Sequence, residues 1–253
     1  MLPLERQKEI IRLLTTKNVL TMQELTETLK VSIDTLRRDI YALTKQGKIE
    51  KIYGGVKRVE PNYGESSINV RLASKLKEKE SIAKRCAGFI HDGDCIFIDS
   101  GSTTSGIAKY ITDKTNLTVV TNSIPVVTEL MNSHAELILI GGKVRKSEQS
   151  VIAYEYLFNF NELNIVKSFL CASGITMGKG ISDYNLEEAI TRKKIIELSK
   201  QVVVAADSSK FGKDVTVNIA SLSQIDCIVT DASISQEFIE SFSQTSTSLV
   251  CAP

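Results

Sequence analysis

Between residues 95 and 251, short apolar, β-rich runs alternate with stretches of helical periodicity. No other feature restricts the fold of this chain as strongly. The runs are Cys95–Asp99, Leu117–Thr121, Glu136–Ile140, Lys167–Ala172, Gln201–Asp207, Ile225–Asp231 and Thr247–Cys251. Helical candidates lie at 103–112, 124–132, 151–158, 185–199 and 235–242. Strands alternating with helices predict crossover connections, hence an α/β domain with a doubly wound, mostly parallel sheet. A long helix over 68–90 precedes it, with Leu72, Leu76, Ile82, Ala83, Ala87 and Ile90 as its apolar positions.

The first sixty residues follow another rule. Leu4, Ile10, Ile11 and Leu14 give a first helix its apolar face, and Asn18 breaks it. Thr21-Met-Gln-Glu24 is a capping-box pattern opening a second helix, striped by Met22, Leu25 and Leu29. After a tight turn at Lys30-Val31, Ser32 caps a third helix with Ile33, Leu36, Ile40 and Leu43 as its stripe; Gly47 ends it. Residues 48–58 then read as a hairpin turning at Gly54-Gly55. Helices with a tight turn, followed by a hairpin, predict a winged helix-turn-helix over 1–58. A polar, Pro- and Gly-containing linker spans 59–67, and the α/β domain fills 68–253.

Charge supports that division. The whole chain carries +1, but residues 1–60 hold 12 Lys/Arg against 8 Asp/Glu, so the remainder is net acidic. A basic head on an acidic body suits nucleic acid at the head. On the third helix, Ser32, Thr35 and Arg38 share one face with Arg37 beside them, away from the apolar stripe. Arg reads guanine or neutralises phosphate, and Ser and Thr bond base edges or phosphates. The competing reading is a wet surface on which Arg37 and Arg38 pair with Asp34, Asp39 or Glu50. Thr21, at the start of the second helix, and Lys57, on the returning hairpin strand, complete the candidate DNA-binding set.

Ligands of such sheets sit beyond the carboxyl ends of the strands. Those ends carry Asp99-Ser100-Gly101-Ser102-Thr103-Thr104, Thr121-Asn122-Ser123, Gly141-Gly142-Lys143 and Asp207-Ser-Ser-Lys210. Hydroxyls, amides, glycines and cations together suit a polyol phosphate. Taken singly, each is an ordinary turn, helix cap or solvated lysine. Arg71, Lys75 and Lys79 fall at i, i+4 and i+8 on the predicted long helix, either as a solvated row or as further phosphate ligands.

Several classes are excluded or disfavoured. Five cysteines without a C-x-x-C pair give no disulfide framework and point to a reducing cytoplasm; Cys95, Cys171 and Cys227 read as core filling. Two histidines give no His-rich metal site, no apolar run reaches membrane-spanning length, and no phosphate-loop string G-x-x-x-x-G-K-[ST] is present. No cofactor, metal or catalytic residue is expected.

The string Val31-Ser32-x-x-Thr35-Leu36-Arg37-Arg38-Asp39-Ile40, with Leu43, Gly47 and Tyr53-Gly54-Gly55, resembles the DNA-binding head of the DeoR family of bacterial transcription regulators. Leu36 stands where that family usually carries Ile or Val. The resemblance runs on through Asp99-x-Gly101-x-Thr103-Thr104, Thr121-Asn122, Gly141-Gly142, Ser173-Gly174, Asn185-x-Glu187-Glu188-Ala189 and Asp207-Ser-Ser-Lys210-Phe-Gly212. These segments are similar to the family's sensor domain, which shares its fold with ribose-5-phosphate isomerase. The resemblance implies a regulator, mostly of the repressor kind, of sugar-metabolism genes. It implies operator DNA bound through Ser32, Thr35, Arg37 and Arg38. It also implies a phosphorylated sugar effector bound without turnover, lined by Asp99, Gly101, Thr103, Thr104, Asn122, Gly142, Asp207 and Lys210. Arg71 and Lys79 join that set on a looser match; Ser102 and Lys143 join the candidate effector set from their strand ends, outside the family pattern. Palindromic operators imply at least a dimer. The alternative is a sugar-phosphate isomerase with an appended DNA-binding head, its base drawn from Asp99, Asp183, Glu187 or Asp207.

Overall fold

A computed structural model of the chain describes residues 2–17, 19–45, 49–58, 66–153, 162 and 164–253. The chain divides into two compact units, residues 1–65 and 66–253. Asn18, Gly47 and most of the expected linker lie outside the described residues.

In the first unit, helices α1 (Pro3–Thr16), α2 (Met22–Leu29) and α3 (Ile33–Lys45) pack with strands β1 (Val19–Thr21), β2 (Ile49–Ile52) and β3 (Gly55–Arg58). The strands form an antiparallel sheet in the order β1-β3-β2. Ile10, Leu14, Leu25, Leu36, Ile40, Leu43 and Val56 close one apolar core, as the helical stripes require. Thr21 accepts from the Glu24 amide at 3.1 Å, and the Glu24 carboxylate takes the Thr21 amide at 2.7 Å, completing the capping box. Ile52 pairs with Gly55, so the hairpin turns on Tyr53-Gly54 rather than on Gly54-Gly55. Gly54 takes the left-handed conformation there (φ 77°), which glycine adopts without a side-chain penalty.

The second unit is built on a seven-stranded, wholly parallel sheet ordered β15-β14-β12-β9-β4-β5-β6. Its strands are β4 (Cys95–Ile98), β5 (Thr118–Thr121), β6 (Glu136–Leu139), β9 (Ile165–Leu170), β12 (Ser199–Ala205), β14 (Cys227–Asp231) and β15 (Ser248–Ala252). Alternate side chains enter two separate cores. Phe97, Val120, Leu170, Val204 and Ile228 face one, while Ile96, Ile98, Val119, Phe169, Val203 and Val229 face the other. Burial on both faces is why these runs read as continuously apolar.

On one face lie α5 (Leu76–Ala87), a 3-10 helix (Thr104–Tyr110) and α6 (Ile124–Leu130). On the other lie α7 (Leu186–Leu198), α8 (Gln236–Phe242) and an antiparallel sheet of β10 (Gly174–Thr176), β11 (Gly180–Asp183) and β13 (Val217–Ala220). A detached hairpin, β7 (Gly142–Arg145) with β8 (Ser150–Ala153), belongs to neither sheet.

Two further expectations fail. The predicted helix at 151–158 begins as strand β8, and the rest of it lies outside the described residues. The predicted long helix at 68–90 is two helices, α4 (Ile68–Leu72) and α5, broken at Lys75, whose φ is 50°. Polar competition explains the break: the Ser74 hydroxyl donates to the Arg71 carbonyl, and the Lys79 ammonium takes the carbonyls of both Arg71 and Ser74.

Candidate functional site

The helix-turn-helix surface follows from α3. Leu36, Ile40 and Leu43 turn inward, so the intervening polar residues turn out. The Ser32 hydroxyl accepts from the Thr35 amide at 3.3 Å and sits 2.9 Å from the Thr35 hydroxyl, presenting both at the helix start. Arg37 is exposed and paired at 3.2 Å with Asp34, itself 75% exposed, a pairing worth little in water. Arg38 is exposed and has no acidic partner among the described residues.

Asp39 is not available to either arginine. It is buried beneath α1, accepting from Arg6 and, at 3.2 Å, from Gln7. Glu50 is occupied by Lys57 at 2.9 Å. Of the three acids offered as surface partners, only Asp34 serves as one. Thr21 spends its hydroxyl on the cap of α2. At the wing, Tyr53 is fully exposed, and Lys51 stands 6.0 Å from the Tyr41 ring centre.

In the sensor unit, the residues singled out at the strand ends separate into two clusters. The first is closed. Arg192 of α7, 1% exposed, donates to Asp99 at 2.6 Å and to Asp183, with Glu188 at 3.6 Å. Asp99 also takes the amides of Ser100 (2.8 Å) and Cys171 (3.1 Å). The Cys171 thiol lies 3.1 Å from Asp99 and 3.2 Å from Arg192, so Cys171 belongs to this polar network and not to the apolar core. Burial pushes that thiol well up, and Asp99 and Asp183 add to the shift against the opposing charge of Arg192. Burial works against the Arg192 charge, but Asp99, Cys171, Asp183 and Glu188 outweigh it and raise its pKa well above the ordinary value.

This network holds the loop after β4. Thr104 donates to the Asp99 carbonyl at 2.7 Å, and Asn122 accepts from the Ser100 amide at 2.9 Å. A Cβ on Gly101 would stand 2.8 Å from the Cys171 side chain, so that glycine permits close packing. Asp99, Thr104 and Asn122 are therefore spent internally, and Thr103 is buried beside them. What the loop leaves open is backbone: the amides of Gly101, Ser102 and Thr103 make no hydrogen bond to another described residue.

The second cluster is open and cationic. Lys75 pairs with Asp207 at 3.0 Å, and Arg71 pairs with Glu148 and donates to the Ser66 carbonyl at 2.6 Å. Burial pushes the Lys79 ammonium down to about 8; Asp207 opposes the shift, while Lys210, Arg71 and Lys75 add to it. Burial likewise lowers Lys210 against the pull of Asp207. Burial by itself would raise Asp207, but bonds from Ser209 and Lys75 hold its carboxyl below the ordinary value. Among the described residues, four cations thus gather around two carboxylates in a half-buried place. Arg71, Lys75 and Lys79 do come together, though across a broken helix and not along one face.

Beside them lies a cleft of about 420 Å³ lined by Leu72, Lys79, Ser102, Ser105, Lys109 and Pro125 among others. Gly142 and Lys143 stand apart at the exposed start of β7, where Lys143 faces Glu187 at 3.5 Å. No carboxylate offered as an isomerase base is unengaged: Asp99 and Asp183 hold Arg192, Asp207 holds Lys75, and Glu187 faces Lys143. Arg192 and Glu148 escaped sequence reasoning. Each reads as one more charged residue in a charged stretch, and only burial distinguishes them.

Comparisons assign both units to a family. The family profile described as the DeoR-like helix-turn-helix domain matches residues 6–62, and that of the DeoR C terminal sensor domain matches residues 74–232. The chain is 33% identical over 238 residues to the HTH-type transcriptional regulator IolR of Bacillus subtilis, covering 94% of each chain. It is 33% identical over 233 residues to the Glycerol-3-phosphate regulon repressor of Escherichia coli, covering 90% of each. A solved D-ribose-5-phosphate isomerase in complex with phospho-erythronic acid aligns at 15% identity and a TM-score of 0.41 over 54% of each chain, too distant a likeness to say anything of the site. The chain therefore belongs to the DeoR family: it is a DNA-binding transcriptional regulator, not an enzyme.

Proposed function

We propose that this regulator represses sugar-metabolism genes and that a phosphorylated sugar or polyol weakens its grip on operator DNA. The observation carrying the effector reading is the excess of cations over carboxylates among Arg71, Lys75, Lys79 and Lys210, set against Asp207 and Glu148. A phosphate would relieve that excess, and the open amides of residues 101–103 add donors suited to an anion. The neighbouring cleft has room for the remainder of a small phosphorylated metabolite. The printed name of the Escherichia coli relative, a glycerol-3-phosphate regulon repressor, agrees with this class of effector.

At the head, Ser32, Thr35, Arg37 and Arg38 face the major groove, with Lys57 on the wing. Thr21 contributes to that surface as a cap. Because one head reads only a few base pairs, the reading includes a cytoplasmic homodimer or larger assembly on a palindromic operator. Domain limits of 1–58, 59–67 and 68–253 go with it.

The test is operator binding by fluorescence anisotropy, using the promoter regions of this gene and its neighbours, with and without a panel of sugar and polyol phosphates. One member should weaken binding several-fold in the wild type, and the Lys210→Met protein should need about tenfold more of it for the same effect. If no phosphorylated compound changes operator affinity, the effector reading is wrong.

A further inference from the structure

The hairpin of the head brings one lysine back onto α3. In β2, Ile49 is buried while Glu50, Lys51 and Ile52 are exposed. Successive strand residues point to opposite faces, and residues directly paired across an antiparallel ladder share one. Glu50 pairs with Lys57 of β3, and their side chains meet at 2.9 Å on the face away from the core. Lys51 pairs with Val56, which is buried in the core of the head, so Lys51 leaves the strand from the inner face. There its ammonium lies 6.0 Å from the centre of the Tyr41 ring, within the range at which a cation is drawn to an aromatic face. On α3, Tyr41 follows Arg38 by three residues and Arg37 by four, which puts all three on one face. Tyr41 is 64% exposed, and its hydroxyl has no hydrogen-bond partner among the described residues. Neither Lys51 nor Arg38 has an acidic partner among them, since Asp34 is held by Arg37 and Glu50 by Lys57. An exposed tyrosine by itself means little. An unspent hydroxyl and an unpaired ammonium, brought together from two elements beside Arg38, mean more.

Resting on the reading of α3 as the helix that faces DNA, we propose that Tyr41 and Lys51 together clamp one backbone phosphate of the duplex, between α3 and the hairpin. Recognition helices touch base edges chiefly from their N-terminal half, where Thr35 and Arg38 stand. Tyr41 belongs to the C-terminal half, beside the hairpin, and there the sugar-phosphate chain at the rim of the groove is what the helix meets. The chemistry suits a phosphodiester, whose free oxygens carry one negative charge and only accept hydrogen bonds. The phenol donates to one oxygen, and the ammonium neutralises the charge and donates to the other. The ring has a second task. By holding the Lys51 side chain before DNA arrives, it reduces the rotamer freedom that the lysine loses on binding. Unlike Lys57, Lys51 has no acid to give up first. The clamp adds affinity and fixes the orientation of the head without reading sequence, which remains the work of the N-terminal half of α3. Tyr41 and Lys51 are thus positioning residues for operator binding.

The experiment is fluorescence anisotropy of the full-length protein over a series of salt concentrations, on two labelled duplexes: the promoter region of its own gene and a scrambled sequence of the same length. The proteins are wild type, Tyr41→Phe, Lys51→Gln, Lys51→Arg and Arg38→Ala, each with its melting temperature. Lys51→Gln should weaken both duplexes by a similar factor, about tenfold, and lower the slope of log affinity against log salt by about one for each bound head. Tyr41→Phe keeps the ring and should weaken both duplexes several-fold with the slope unchanged, because a neutral hydroxyl releases no counterion. Lys51→Arg should keep the wild-type slope. All melting temperatures should stay at the wild-type value, since both side chains are exposed. Wild-type affinity for either Tyr41→Phe or Lys51→Gln on both duplexes would overturn the clamp. A loss confined to the promoter duplex would overturn it too, as a sign of base reading, and so would a loss matched by a lower melting temperature, as a sign of packing. If Arg38→Ala weakens promoter binding and the other variants do not, only the clamp falls. If Arg38→Ala also binds like wild type, the reading of α3 falls with it.

Discussion

Each unit of this regulator contains one closed and one open set of charges, and the two sets use the same residue types. In the head, Arg6 and Asp39 are buried against each other between α1 and α3, while Arg37 and Arg38 stand in solvent on the next faces of the same helix. In the sensor, Arg192 is enclosed by Asp99, Asp183 and Glu188, while Arg71, Lys75, Lys79 and Lys210 crowd around too few carboxylates. Closed sets have their hydrogen bonds satisfied by the protein, so they hold elements in place and have nothing to offer a ligand. Open sets hold cations in excess of the carboxylates around them among the described residues; on the proposed reading, a DNA phosphate balances one and a small phosphate the other. The rule that separates them is charge balance under burial.

If that division holds, breaking a closed set costs stability and breaking an open set costs binding. The largest effect is expected from Arg192→Met, which leaves the buried carboxylates of Asp99 and Asp183 without their cation. Breaking such a network typically costs about 3–5 kcal/mol, and urea denaturation would read it as a lower midpoint. A midpoint within experimental error of wild type would mean that the network is not structural.

Arg38→Ala belongs to the open set. Losing one specific arginine contact costs roughly 1–3 kcal/mol of operator binding, so a gel-shift assay should show at least a tenfold weaker complex at an unchanged melting temperature. Equal loss of stability and binding would move Arg38 to the closed set. Lys210→Met should reduce phosphate affinity about tenfold, in line with one lost charge-assisted contact, measured by titration calorimetry. The unliganded fold should not suffer, because burial already disfavours the Lys210 charge.

A smaller change is expected from Thr21→Ala. Its hydroxyl caps α2, and losing such a cap costs about 1 kcal/mol of head stability. A drop in operator affinity without any drop in stability would instead place Thr21 against DNA.

The gentlest test uses pH. Lys79, pushed down to about 8, is charged in both folded and unfolded chains below that value. Between about 8 and its ordinary value of 10.5, the folded chain has released a proton that the unfolded chain still holds. Folding stability contributed by this group therefore rises with pH across that window. Anion binding runs the opposite way. Sulfate, whose charge is constant over the range, should bind several-fold more weakly at pH 9 than at pH 7. Flat sulfate affinity would remove Lys79 from the anion site.

Much of this architecture was legible in residue order. Period-3.6 stripes placed all three helices of the head, and Thr21/Glu24 announced the start of the second. Apolar runs marked every strand of the parallel sheet; burial on both faces leaves the inner strands no polar alternation to confuse the reading, and the edge strands β6 and β15 are partly exposed. The missed strands β1, β7, β8, β10, β11 and β13 are three or four residues long and partly polar, so no apolar run marks them, although β7–β8 and β10–β11 are local hairpins. The long helix failed at Lys75 because its apolar period continues through 68–90 while a serine hydroxyl and a lysine ammonium capture the carbonyls that would carry it on.

The site divides in the same way. Residue order determined that this chain has a basic reader of duplex DNA and a sheet whose strand ends carry hydroxyls, amides and cations, since those are properties of neighbours in sequence. Tertiary structure decided which charges are spent and which remain. Asp99, Thr104 and Asn122 are consumed in holding their own loop, Arg192 arrives from α7 to neutralise buried acids, and Arg71, Lys75, Lys79 and Lys210 gather from separate segments. The physical reason is that a charge's role depends on how many opposite charges and how much water surround it, and both are set by segments far away along the chain.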